Sequence, residues 1–248
     1  MSDDYYVIRK PGLLKDFDRT ARHMKKVLSS HYGNDRADTL LRETRQEYEA
    51  LIPALPYIGG RRNRLTKSLV GSVGCLALYR ALKRAGKAVD ETGTIIFETV
   101  RAQLGAYPTF LVRFIGRLKL SGYAVARLKK QAAESQRRRY PGNWVFTVLE
   151  GDGVEFSYGI DFSECGICKF FHSQEADELT PFLCVLDFPM SAAFGTGLVR
   201  TKTIAGGHEK CDFRFKRGRT VESGLPARPS KADDVSMQRS GIERRHSK

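Results

Sequence analysis

Between Glu164 and Phe215 the chain gathers groups able to do chemistry. Four of its five cysteines lie there, as Cys165-Gly-Ile-Cys168, Cys184 and Cys211, with Asp187, His172, His208 and Asp212 among them. Cysteine packs like a small apolar side chain, and its reactivity more often explains its presence. Two chemistries use it. In the first, a thiol near a helix N-terminus has a lowered pKa and acts as a nucleophile. Cys165 stands at the start of a helix predicted over Glu164 to His172, and Cys184, three residues before Asp187, is the other candidate. Asp187, His208 and His172 are the groups able to serve such a thiol as base or acid. In the second, Cys165, Cys168, Cys184 and Cys211 bind a metal. Soft ligands of this kind select zinc among divalent ions, although only the first two cysteines have the close spacing of a zinc half-site. The first chemistry needs no cofactor, and the plain alternative to both is a set of packed thiols.

The groups that would hold a substrate are fewer. Arg200 and Lys202 alternate with Thr201 and Thr203 on a strand expected over Leu198 to Ile204. An inward Arg200 could take a carboxylate in two parallel hydrogen bonds, with Thr203 and Asp212 close in sequence. Gly206-Gly207-His208-Glu209 reads as a hairpin turn, since no lysine and serine follow the glycines as in a phosphate loop. Pro53 to Asn63 has two prolines and two glycines and therefore a specified shape. It carries Tyr57, Arg61 and Arg62, and either holds an anion or turns the chain. Cys75 falls inside an apolar helix and reads as a core thiol.

Apolar residues recurring every three or four positions predict helices over Pro11–Tyr32, Arg36–Ile52 with Asp35 as cap, Leu65–Ala85, Asp90–Leu104, and Pro108–Lys130 interrupted at Ser121-Gly122. The period then changes. Strands are expected over Trp144–Leu149, Val154–Phe162, Leu198–Ile204 and Lys210–Lys216, with helices over Glu164–His172 and Glu175–Phe188. The fold class that follows is α+β: a helical N-terminal half packed on a C-terminal antiparallel sheet with inserted short helices. The division is 1–142 helical, 143–216 antiparallel α+β carrying the Cys/Asp group, and 217–248 a disordered basic tail.

A chain of 248 residues, 41% hydrophobic and 28% charged, has the composition of an ordinary globular protein. Its start has no secretory pattern and no apolar run spans a bilayer, so reduced thiols and a cytoplasmic location are expected. The net charge of +14 is uneven, with nine basic residues against one acid between Thr109 and Tyr140. Such a segment is either a solvated helix face or a contact for an anionic membrane surface. No recognition motif accompanies it, so no nucleic acid is expected.

Leu55-Pro56-Tyr57-Ile58-Gly59-Gly60 with Asn63, and Ala77-Leu78-Tyr79 before Leu82-Lys83, resemble the helical half of the L-2-amino-thiazoline-4-carboxylic acid hydrolase family. Cys165, Glu178-Leu179, Cys184, Asp187, Arg200, Thr203-Ile204, Gly206 and Cys211-Asp212-Phe213 stand in that family's order and spacing. The resemblance covers about residues 10–216. It implies hydrolytic opening of a cyclic isothiourea, at a C–N or C–S bond, in cysteine metabolism. In that reading Cys184 or Cys165 is the nucleophile or a metal ligand, Asp187 the base, and Arg200 the clamp for a substrate carboxylate. The Cys165/Cys168 doublet is not a fixed feature of the pattern. A lesser likeness to ligand-binding domains related to 4-vinyl reductases implies the alternative, a non-catalytic small-molecule- or zinc-binding module.

Overall fold

The computed structural model describes residues 4–221. Tyr5–Ile8 (α1) leads into Lys10–Tyr32 (α2), which buries Phe17, Ala21, Met24 and Leu28 at helical spacing. Gly33, at φ +78°, ends α2 and itself becomes the N-cap of Asn34–Leu51 (α3). Asp35 therefore lies in the first turn of α3 and does not cap it, where its charge suits the helix dipole. Two short 3-10 turns, Ile52–Ala54 and Gly60–Arg62, shape the proline-glycine loop. Thr66–Arg84 (α4) is apolar on most of its surface and forms the centre of the helical half. Gly86, at φ +75°, stops it, and the Lys87 N–H returns to the Leu82 carbonyl at 3.0 Å. Val89–Gly105 (α5), Thr109–Lys119 (α6) and Gly122–Gln136 (α7) follow, the last capped by the Ser121 hydroxyl.

The second half is a four-stranded antiparallel sheet in the order β1-β2-β4-β3, built from Val145–Glu150 (β1), Tyr158–Glu164 (β2), Leu198–Val199 (β3) and Cys211–Phe215 (β4). Between β2 and β3 lie Gly166–Ser173 (α8), Thr180–Val185 (α9) and Asp187–Phe194 (α10). Register sets the two faces: Phe146, Phe162 and Cys211 form one row and Val148, Ile160 and Phe213 the next. These face the core, where Phe146 and Ile160 join residues of α2, α3 and α4 in one buried group, Val148, Phe162 and Phe213 pack against it, and Cys211 is buried as well. Asp161 and Asp212, opposite each other, lie on the other face. The α+β architecture is the one expected.

Three boundaries differ, each for a local reason. β2 starts at Tyr158, not at Val154, because Asp152 Oδ1 accepts the N–H groups of Val154 and Glu155 at 2.9 and 2.8 Å and extends the turn. The single helix expected over Glu175–Phe188 is a 3-10 turn, Asp177–Leu179, followed by α9 and α10. Pro181 opens α9, and Pro189, with no N–H to donate, interrupts the ladder at the α9–α10 junction. The strand expected over Leu198–Ile204 stops after two residues, because Asp212 takes the N–H groups of Thr201 and Lys202. Of the expected C-terminal tail, residues 222–248 lie outside the described residues; within 217–221, Arg219 donates to the Glu155 carbonyl at 2.7 Å.

α6 meets α10 through Gly116, where an added Cβ would lie 1.8 Å from the Phe194 carbonyl oxygen. Alanine elsewhere in a helix interior stabilises relative to glycine. Here the obstacle is backbone, which no rotamer change relieves. Gly116→Ala is expected to destabilise the fold by about 1–3 kcal/mol, read as a lowered Tm in thermal unfolding.

Candidate active site

The site forms where α8, the α9–α10 junction and the start of β4 converge below the core face of the sheet. Cys165 is the N-cap residue of α8, in extended conformation. Gly166 lets the chain start the helix there: a Cβ on it would lie 2.6 Å from the Trp144 ring and 2.8 Å from the Gly142 carbonyl. The Lys169 ammonium pins the same corner, donating to the carbonyls of Pro141 and Asn143 at 2.8 and 3.0 Å and pairing with Glu164. Glu164 also pairs with Arg138, and the Lys169 bond leads in holding its carboxyl below the usual range.

The two thiols of the doublet act on each other and titrate in opposite senses. The Cys168 thiol, followed by the backbone N–H groups of Cys168 and Ile167 and the Trp144 indole, pulls the Cys165 thiol below its ordinary range despite burial. Cys168 is pushed up by the Cys165 thiol and then by burial. Cys184, in α9, is pushed up to about 12 by burial, with Arg200 opposing. Cys211 is buried on the core face of β4, where its sulfur accepts the Ile204 N–H at 3.2 Å; burial raises it too. Cys184 and Cys211 each feel the charges of Cys165, Asp187 and Arg200, so four thiols and one ion pair share a neighbourhood.

The ion pair is the polar centre of that neighbourhood. Arg200 points inward with only 5% of its side chain exposed, between the rings of Phe188 and Phe213 at 5.0 and 5.1 Å. Its two terminal nitrogens donate to Asp187 Oδ2 at 2.6 Å and to the Cys184 carbonyl at 2.9 Å. Asp187 keeps 37% of its side chain open at the rim, yet the protein packed around it dominates its acidity. Burial pushes its carboxyl up to about 6, against the pull of Arg200. A thiol inclined to ionise and a carboxyl able to give or take a proton close to neutrality thus both act on Cys184 and Cys211.

Other candidate residues lie apart from this centre. His172 has turned to the surface, 81% exposed, and pairs with Asp177. His208 is exposed beyond the turn that follows Gly206. Asp212 faces away from Cys211 across the sheet, its oxygens taken by the backbone of Thr201 and Lys202 and by the Thr201 hydroxyl. Thr203 Oγ1 accepts the Gly206 N–H at 3.0 Å and holds the turn next to Cys211. Tyr57 lines a different cleft of about 500 Å³ with Tyr5, Tyr140, Arg61, Arg62 and Arg139. Asn143 and Phe146 also line that cleft, on the segment whose Trp144 packs on Gly166. Cys75 is a thiol packed against the core, raised by burial. Among the described residues no group of three or more His, Cys, Asp or Glu side chains is arranged to hold a metal ion.

The sequence marks Trp144 only as the first residue of a strand, Phe188 only as a helix end and Phe213 only within the family pattern, with no role at the site for any of them. Nor does it connect Tyr79 with Glu178, ninety-nine residues apart, although the Tyr79 hydroxyl donates to Glu178 and the Lys83 ammonium reaches both. This triad ties α4 to the turn before α9.

A family model described as L-2-amino-thiazoline-4-carboxylic acid hydrolase matches residues 71–215, more than half of the chain. The chain belongs to this family. No curated protein and no solved structure gives a match. The matched span of this thiazoline-carboxylate hydrolase family member includes the four clustered thiols, Asp187, Arg200 and the Tyr79–Lys83–Glu178 triad. The Leu55–Asn63 loop with Tyr57 lies before it.

Proposed function

We propose that the protein hydrolyses a cyclic amidine, with L-2-amino-thiazoline-4-carboxylate as substrate, Cys165 as nucleophile and Asp187 as the proton-transfer group. What supports this reading is the placement of Cys165 at the α8 N-cap in the same cluster of thiols as Asp187, which Arg200 holds at 2.6 Å, with the thiol's pKa directed down and the carboxyl's up. The Cys165 thiolate adds to the ring carbon that bears the amino group, making it tetrahedral. The ring C–N bond breaks, its electron pair stays on nitrogen, and protonated Asp187 supplies the proton. A water deprotonated by Asp187 then attacks the same carbon and displaces Cys165. One water is consumed, and the thiolate and the carboxylic acid are restored.

Cys165 is favoured over Cys184 because burial keeps Cys184 protonated, with its pKa at about 12. Arg200 is read as a positioning residue. Its terminal nitrogens are engaged by Asp187 and the Cys184 carbonyl, and its burial keeps it from a substrate carboxylate. Incubating the full chain with L-2-amino-thiazoline-4-carboxylate, with and without a chelator, and following ring opening by mass spectrometry tests the reading. A product heavier by one water, formed catalytically in both arms, is expected. No turnover, with or without added divalent metal, overturns this substrate. Tight binding without turnover favours the non-catalytic ligand-binding alternative.

A further inference from the structure

We propose that α6 is an interfacial membrane-binding helix, which docks the protein on an anionic lipid surface. The helix buries Val112 and Gly116, sets the Lys119 ammonium over the Phe194 ring at 3.8 Å and the Arg113 guanidinium beside Gly195, and turns its opposite side outward. Successive residues of a helix are roughly 100° apart, so Phe110, Phe114 and Leu118 form one row along the axis. All three are exposed, Phe110 by 78% and Phe114 by 56%. Leu111 and Ile115, also exposed, form the neighbouring row, so two apolar rows run side by side in water. Exposed Tyr107 and Tyr123 flank the two ends of the helix. A contiguous apolar strip of this kind marks a binding surface more often than it marks ordinary surface scatter.

The charge beside the strip chooses the partner. Arg113 and Arg117 form the row along the other edge of Phe110–Phe114–Leu118, and neither makes an ion pair among the described residues. No acidic residue occurs from Tyr107 to Ala133, which includes all of α6 and most of α7. Arg127 and Lys130 of α7 are likewise exposed and without an ion pair among the described residues. An apolar face with cations at its margin is the pattern of a helix lying in the plane of an anionic membrane, its phenylalanines in the acyl boundary and its guanidinium groups at the headgroups. Aromatic rings at the helix ends suit the same boundary. A second copy of the chain fits less well, because a two-fold contact would bring both basic rows into one interface. The helix has eleven residues, and no helix among the described residues is long and apolar enough to cross a membrane.

Sedimentation of the full chain with vesicles tests this, comparing phosphatidylcholine alone with phosphatidylcholine mixed with phosphatidylserine. Binding to the mixed vesicles, weakened by added salt, is expected. Phe110→Ser with Phe114→Ser should reduce partitioning by about tenfold or more for each ring removed. Arg113→Gln with Arg117→Gln should reduce it about fivefold per charge on mixed vesicles only. Unchanged circular dichroism and Tm verify that the variants are folded, and the arginine pair leaves the apolar strip untouched should the phenylalanine pair perturb the helix. No binding to either vesicle overturns the proposal. So does a concentration-dependent dimer, seen by sedimentation equilibrium and abolished by the phenylalanine variant, in a protein that ignores vesicles.

Discussion

Replacing Cys165 by serine is expected to lower kcat/KM for thiazoline hydrolysis by about 10³-fold or more, with the fold intact. A serine hydroxyl in the same N-cap position keeps the backbone contacts but does not ionise there, so no nucleophile forms. Cys184→Ser is expected to have a much smaller effect, since that thiol is protonated throughout the working range. The reverse order, with Cys184→Ser inactive and Cys165→Ser active, would move the nucleophile to α9. Alkylation by iodoacetamide gives a readout independent of turnover. The modification rate follows the thiolate fraction, which rises as pH passes the thiol pKa. Because the Cys165 pKa is lowered, its rate should reach half-maximum below about 8.5, the value of an ordinary thiol. The largest cause of that lowering is the neighbouring Cys168 thiol, so Cys168→Ala should shift the half-point upward and slow modification at neutral pH.

How much of this was legible beforehand depended on range along the chain. Helix positions followed from short-range apolar spacing, and the strands of the second half from the change of period after Pro141. Inward-facing Cys211 could be anticipated from alternation, because register along a strand carries the face of every residue, whereas the face of Arg200 was left open and Arg200 lies beyond the end of β3. The doublet's placement at a helix start was likewise visible, and the structure gives Cys165 the N-cap position. What alternation could not supply was the partner of Arg200. The guanidinium is held by Asp187 and the Cys184 carbonyl across the α9–α10 break that Pro189 creates, so the expectation of a free clamp for substrate had no local signal against it. His172 shows the converse failure. It shares a helical spacing with Cys165 and Cys168, yet α8 ends next to it and Asp177 draws its ring to the surface.

Asp187→Asn is expected to reduce kcat by about 10²–10⁴-fold, the range for loss of a general acid–base group. Asparagine preserves the shape and can still accept a hydrogen bond from Arg200, so the loss would report proton transfer and not collapse of the site. In the native protein a limb of the pH–rate profile should fall near 6, where the Asp187 carboxyl changes state, and the variant's residual activity should lack it. Arg200→Met removes the charge that opposes burial, so it should move that limb to higher pH. A structural role for the pair alone would leave the profile's position unchanged in both variants. The same group should leave a mark on stability. Its pKa rises from 3.8 in the unfolded chain to about 6, so the folded state holds the proton more tightly. Its contribution is therefore most favourable below 3.8 and declines as pH climbs through about 6, since stability falls wherever the folded state binds more protons than the unfolded one. Asparagine cannot titrate. The Tm of Asp187→Asn relative to the native protein should accordingly improve between pH 4 and pH 7 on that ~4-to-6 titration, whatever its value at either end. A difference that stays flat would mean that burial does not govern this carboxyl, and the case for Asp187 as the proton-transfer group would go with it.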